Sequence, residues 1–375
     1  MQQDLEDCLR GIGIDTVEYG YRILNFDEDA YFYHRFDRIL SEETVDAVMM
    51  MNYMAPMAEL CAKHEIPYIS WVYDCPFGLK KPEKTLGLAT NHVYFFDRHQ
   101  YELFRGKGYE TVHYLPLAVN TDRLDALLQK NPEEVYPADV SFVGILYDNS
   151  YEDVMSFLPE DKQKQIRSLT EKQATMYGTY ILRSEMDRIL DDGWRNYFCD
   201  NPEVAMLPEE EFNRWMEHTI ARKITRDERL AILGRLAGKY RTALYSPSSD
   251  ASLTGIEYRG IVSAFDVAPY VYRDSKINLN ITLKDITSGM SLRVLEILGS
   301  GGFLLSNRQL ELEEYFKDGE EVVMYDSIED AVDKASYYLT HEEERCHIAK
   351  AGRRAVEQFS FENQVKKILS EVFEG

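Results

Sequence analysis

The chain has 375 residues, 45% hydrophobic and 29% charged, with a formal net charge of −23. That length carries two domains with cores of their own, and the composition is that of an ordinary globular protein. The negative charge excludes nucleic acid as the main partner, since such binders present a basic surface, and it disfavours attachment to an anionic membrane. The five cysteines, Cys8, Cys61, Cys75, Cys199 and Cys346, are odd in number, far apart and without metal-ligand spacing. Reduced thiols in a cytoplasmic protein are therefore expected. The first residues form no signal region, and no run of apolar residues is long enough to span a membrane.

Helix signals run from residue 2 to 9 and stop at Gly11. Strand candidates follow at 16–18, 45–50, 68–72, 93–96 and 112–115, with a helix over 97–107 that stops at Gly108. This alternation predicts a parallel, doubly wound sheet over residues 1–135. The chain starts on a helix where such a domain would start on a strand, so either the first strand is missing or the sheet begins differently. Residues 131–137 read as a linker. A second domain is expected over 136–358, opening on a strand at 139–144 that ends in Gly144. Residues 151–240 are charged, long in helical pattern and poor in glycine, which predicts a helical insertion. Its aromatic residues Trp194, Tyr197, Phe198, Phe212 and Trp215 either form a core or meet an acceptor or partner. A strand at 241–245 resumes the alternation, and 328–373 reads as three helices, the last from about Ser360. Residues 359–375 are expected to pack back on the first domain.

Residues 276–307 are the most informative. A strand at 277–281 leads through a polar loop to a helix predicted to open at Ser288-Gly289 and to end at Gly299, before a strand at 303–306. A helix start after a strand offers free N–H groups and a positive dipole end to a phosphate. The competing reading is a helix cap with a surface Arg293–Glu296 pair. Asn278 and Asn280 share one side of the strand by its two-residue period. Amides are poor strand formers, so the pair marks either a ligand site at the strand's carboxyl end or a buried amide network. Lys276 and Arg293 would supply local positive charge. In the first domain Asp74 follows a strand end in Trp71-Val-Tyr-Asp-Cys-Pro. It is either a general base for an acceptor hydroxyl or a loop aspartate capping backbone N–H groups.

Several stretches resemble the CgeB-type (spore maturation protein CgeB-like) glycosyltransferases. They are Ser-Lys-Ile-Asn-Leu-Asn-Ile-Thr282, Leu-Arg-Val-Leu-Glu-Ile-Leu-Gly-Ser-Gly-Gly-Phe-Leu-Leu305, Tyr325-Asp-Ser-Ile-Glu-Asp-Ala331 and His341-Glu-Glu-Glu-Arg345 with Ala351-Gly-Arg353. Upstream, Tyr114-Leu-Pro-Leu-Ala-Val-Asn120, Asp139-Val-Ser-Phe-Val-Gly-Ile-Leu-Tyr147 and Thr225-Arg-Asp-Glu-Arg229 extend the likeness, which is strongest in the C-terminal half. The resemblance implies the α/β GT-B fold, two Rossmann-like parallel-sheet domains facing a cleft. The second would bind a nucleoside-diphosphate sugar, UDP favoured, and the first would hold a protein or polysaccharide acceptor, as in surface or spore glycosylation. It places Glu296 on the donor ribose, Arg293 and Lys276 on the diphosphate, and Ser288 and Gly289 at the helix start. Tyr258 and Gly260 fall near the base, and Gly144 and Tyr147 face the cleft. Retaining relatives carry a glutamate where this chain has Ser288, which leaves retention or inversion open. No cofactor or metal is expected, because a helix N-terminus and basic side chains would stabilise the departing diphosphate. The chain's Asp-x-Asp triplet, Asp27-Glu28-Asp29, lies far in sequence from these donor residues. A sugar-nucleotide epimerase and a catalytically silent sugar-nucleotide-binding or assembly protein are the alternatives, and the oligomeric state is open.

Overall fold

The computed structural model describes residues 2–21, 29–75, 82–130, 135–148, 150–190, 197–198 and 209–374. Contacts divide the chain into two compact units: Met1–Asn120 with Ser288–Leu292 and Gln358–Gly375, and Thr121–Thr287 with Arg293–Glu357. The division falls at Asn120, not 135, because the helix Thr121–Leu128 packs into unit 2. There the Tyr270 hydroxyl donates to the Leu127 carbonyl at 2.8 Å, and Arg123 to the Phe265 carbonyl at 2.9 Å.

Unit 1 runs α1 (Gln2–Gly11), α2 (Ala30–Glu42), β1 (Val48–Met51), α3 (Ala55–Lys63), β2 (Tyr68–Val72), α4 (Pro82–Thr85), β3 (Asn91–Phe95), α5 (Arg98–Gly106) and β4 (Val112–Tyr114). Its four strands pair in parallel in the order β1-β2-β3-β4. A parallel sheet is covered on both faces, and all five residues of β2 are buried. Truncating the buried Trp71 to alanine would cost about 3–5 kcal/mol. The expected strand at 16–18 does not form. Tyr19 and Tyr21 instead lay their rings on Phe32 and Phe36 of α2, at centroid distances of 5.1–6.1 Å. Asp29, the last residue of the Asp-x-Asp triplet, caps α2 by accepting from Phe32 N at 3.0 Å. The C-terminal helix Phe361–Phe373, capped by Ser360, also belongs to this unit. Phe361 meets the Trp71 ring at 6.0 Å, and Gln364 donates to the Pro116 carbonyl at 2.9 Å.

Unit 2 runs α6 (Thr121–Leu128), β5 (Ala138–Val143), α7 (Tyr151–Ser156), α8 (Glu160–Ala174), α9 (Leu182–Ile189), α10 (Glu209–Ala237), β6 (Thr242–Tyr245), β7 (Glu257–Tyr258), α11 (Ala268–Asp274), β8 (Ser275–Asn280), α12 (Leu292–Gly299), β9 (Leu304–Asn307), α13 (Leu310–Tyr315), β10 (Val323–Tyr325), α14 (Ile328–Thr340) and α15 (Glu342–Ala355). The sheet is parallel, in the order β10-β9-β8-β5-β6-β7. The insertion is helical, with a core of its own that includes Ile166, Leu182, Met186, Phe198, Phe212 and Ile220. Tyr197 and Trp215 pack against that core, so the described part of the aromatic patch is packing; Trp194 lies outside the described residues. The 29-residue α10 serves two cores. Its residues 212–224 complete the insertion, and Ile232, Leu233 and Leu236 cover the sheet. Among the described residues no helix is long and apolar enough to cross a membrane.

Candidate functional site

Strand order in unit 2 reverses between β5 and β8. Open α/β sheets bind ligands at the carboxyl ends of the strands at such a switch point. Arg229, on α10, spans this point: it donates to the carbonyl of Ile145, just beyond β5, and to that of Ile281, just beyond β8. Its guanidinium lies 5.1 Å from the Phe142 ring centre and 4.7 Å from that of Tyr147. The guanidinium of Arg293, on α12, lies 5.3 Å from the same Phe142 ring and donates to Asn280 Oδ1 at 3.3 Å. None of these partners carries a negative charge. Burial pushes Arg229 down to about 10, with Tyr147 opposing and the charge of Arg293 adding to the shift. Gly144 makes the arrangement possible: a Cβ there would stand 2.6 Å from Arg293 Nη2 and 3.1 Å from Phe142.

The expected donor residues separate into those at this edge and those away from it. Asn280 is at the edge, where its amide also bonds Thr282 and Ser306 at 2.9 Å and so fixes the oxygen that Arg293 uses. Tyr147, with φ 66, turns its carbonyl to Arg226 at 2.7 Å and its ring beneath Arg222 and Arg229. Glu296 and Arg293 both act on the buried Tyr272, whose hydroxyl is pushed far up by burial first and by Glu296 second. Asn278 is an internal knot, bonding Ser141 Oγ at 2.8 Å and the carbonyls of Tyr272 and Phe303 at 2.9 and 3.3 Å. Lys276 is a correction. It shares a strand face with Asn280 but lies near the amino end of β8, roughly 13 Å away at about 3.3 Å per residue. It pairs there with Asp139 at 2.8 Å. Tyr258 lies on the edge strand β7, half exposed, and donates to the Ser246 carbonyl at 3.1 Å; Gly260 follows with φ 70.

The helix expected to open at Ser288-Gly289 starts later, at Leu292. The amides of Ser288 and Gly289 belong by contact to unit 1 and both donate to Asp97 Oδ2 at 3.1 Å. The other oxygen of Asp97 caps α5 through Gln100 N at 3.0 Å, and the Ser288 hydroxyl accepts from His99 N at 3.2 Å. A carboxylate of the chain itself thus takes the N–H groups expected to be free for a phosphate.

At the carboxyl edge of the unit 1 sheet, Asp74 is exposed; partial desolvation raises its carboxyl while a hydrogen bond from Asn52 opposes the shift.

Residues 213–370 match the family model described as Glycosyl transferase-like. No curated protein matches the sequence. Among solved structures the chain is similar to TarM, with 11% identity and a TM-score of 0.50 over 90% of this chain and 57% of that one. It is similar to a glycosyltransferase from Rickettsia africae, with 12% identity and a TM-score of 0.51 over 98% and 87%. A third is sucrose-phosphate synthase from Thermosynechococcus elongatus, with 8% identity and a TM-score of 0.51 over 92% and 77%. The fold is that of GT-B glycosyltransferases. The chain spans a little over half the length of TarM.

Within this GT-B chain, sequence reading missed Arg229 and Asn52. Arg222, Arg226 and Arg229 recur at helical spacing on α10, a signal for one cationic face. Asn52 is the polar residue that ends the apolar run of β1.

Proposed function

We propose that this chain is a glycosyltransferase that moves a sugar from a UDP-sugar to a hydroxyl of a protein or polysaccharide acceptor, without a metal ion, in the cytoplasm. The observation that carries this reading is the meeting of Arg229 and Arg293 at the Phe142 ring, on the switch point of unit 2. Two guanidinium groups whose hydrogen-bond acceptors are neutral repel each other, with the charge of Glu228 offsetting part of that cost at Arg229. A diphosphate that accepts from both relieves the rest while gaining charge-assisted hydrogen bonds. As the bond from the sugar's anomeric carbon to the phosphate oxygen breaks, negative charge grows on the diphosphate. The same two groups then stabilise the transition state in the manner of a divalent cation. Glu296 is assigned to the ribose. Asp74 is assigned to the acceptor, taking the hydroxyl proton as the new carbon–oxygen bond forms. UDP is favoured because a structure of Staphylococcus aureus TarM, 11% identical and with a TM-score of 0.50, is of a complex that includes UDP.

The test is a thermal-shift series with UDP, GDP, dTDP and CMP, together with UDP release from UDP-sugars with and without EDTA. UDP should raise the unfolding midpoint, since a ligand that binds only the native state stabilises it. EDTA should leave turnover unchanged. A chain indifferent to all four nucleotides, or one silenced by EDTA, would refute the reading.

A further inference from the structure

We propose that Asn52 is the positioning residue for Asp74: it fixes one carboxylate oxygen and turns the other towards the acceptor. This rests on the assignment of Asp74 as the base. Asn52 has φ 63, in the left-handed region that non-glycine residues seldom adopt, with asparagine the best suited. Every polar group it has is engaged across the sheet edge. Its backbone N–H donates to the Trp71 carbonyl at 2.8 Å, and its carbonyl accepts from Ser70 Oγ at 2.8 Å. Its side-chain Oδ1 accepts from the amides of Tyr73 and Asp74 at 3.0 and 3.2 Å. Its Nδ2 donates to Asp74 Oδ2 at 2.7 Å.

Closing the turn after β2 needs only the two bonds to Oδ1. The bond from Nδ2 is of another kind, because it ends on the carboxylate and favours its ionised form. Strained residues of this sort persist where the surrounding structure holds them, and they gather at functional sites. The titratable neighbours on the same segment are Tyr73 and Cys75, and Cys75 Sγ accepts from Gln100 of α5. Asp97, after β3, directs its own carboxylate to Ser288, Gly289 and Gln100. Asn52 is thus the group that offsets the partial desolvation of Asp74.

The experiment measures UDP release against pH, with water as acceptor, from UDP-glucose, UDP-galactose and UDP-N-acetylglucosamine, and UDP affinity separately. Asn52→Asp keeps the acceptor for both amides and sets a second carboxylate beside Asp74. The acidic limb of kcat/KM should move up by about one unit or more, because neighbouring like charges resist ionisation. Asn52→Gly keeps the positive φ without strain and removes the Nδ2 donor together with the Oδ1 acceptor, so it reads the loss of the whole side chain even if the aspartate variant folds poorly. Its limb should move up by less. UDP affinity should be unchanged in both. Asp74→Asn should lose about 100-fold or more in turnover at unchanged UDP affinity. Unmoved limbs in both Asn52 variants, with Asp74→Asn inactive, would overturn the role of Asn52 and leave Asp74 as the base. Turnover retained by Asp74→Asn would overturn the assignment of Asp74 and the inference with it.

Discussion

The two units use the same parallel architecture and arm its carboxyl edge with opposite charge. In unit 1 the edge offers carboxylates, Asp74 held by the side-chain amide of Asn52 and Asp97 by backbone amides. In unit 2 it offers guanidinium groups, Arg229 and Arg293, each held by carbonyl oxygens. A parallel sheet determines where a site lies, because every strand ends on the same side. What the site does is decided by side chains brought in from elsewhere. In unit 2 the deciding residue comes from α10, a helix that begins in the insertion.

The sharpest way to break the contrast is to remove the cation of unit 2. Arg229→Ala leaves the carbonyls of Ile145 and Ile281 without their donor and opens a space against Phe142. A buried group left unsatisfied costs about 1–3 kcal/mol, so the buried Ile281 carbonyl and the lost packing should cost about 2 kcal/mol or more of stability, the exposed Ile145 adding little. The UDP-induced rise in unfolding midpoint should vanish as well. Arg293→Ala is gentler. Arg293 is partly exposed, so the fold should hold while UDP binding weakens by about 1.5–3 kcal/mol, the range of a hydrogen bond to a charged group. Titration of UDP separates the two, since the first variant should lose stability and binding together and the second binding alone.

Gly144→Ala sharpens the comparison without touching a charge. The new Cβ would meet Arg293 Nη2 at 2.6 Å, so the guanidinium must move. Overpacking of this kind costs roughly 1–3 kcal/mol where neighbours cannot yield. The far end of an arginine can yield, so stability should fall little and UDP affinity should drop towards that of Arg293→Ala. An unchanged affinity would mean that Arg293 serves the diphosphate from a position other than the one it holds here.

The scaffold was more legible than the charges. The strand at 68–72 appears residue for residue as β2, a short apolar run after Pro67 buried on both faces. Gly299 ends α12 as expected, and Ser360 caps the last helix. The errors share a cause in long-range contacts. Ser288-Gly289 reads locally as a helix start, but Asp97, 191 residues earlier, accepts from the Ser288 amide, and the helix begins a turn later. Arg229 lies in a charged helix whose pattern reads as surface, yet its acceptors lie 52 and 84 residues away. Lys276 has a positive charge and shares the strand face of Asn280, but it lies near the amino end of the strand, whereas open α/β sheets bind ligands at the carboxyl end.

A last contrast lies within unit 2, where Glu217 of α10 is a carboxylate buried at some cost. It is 5% exposed; its side chain accepts from Tyr180 at 3.4 Å and from Arg183 at 3.3 Å. Burial raises its carboxyl, with Arg183 opposing and Asp285 adding to the rise. The folded state therefore holds the proton more tightly than the unfolded chain, in which a glutamate titrates near about 4.3. Between that value and the raised folded value, the folded state binds more protons than the unfolded one. Stability must then fall as pH rises through the window, the reverse of a carboxylate favoured by a salt bridge. Glu217→Gln keeps an oxygen acceptor for Tyr180 and removes the buried charge. Its unfolding midpoint should exceed that of the unaltered chain at neutral pH, and the difference should close as pH falls below about 4.3. A midpoint lowered at every pH would show that the pair with Arg183 outweighs the burial of the charge.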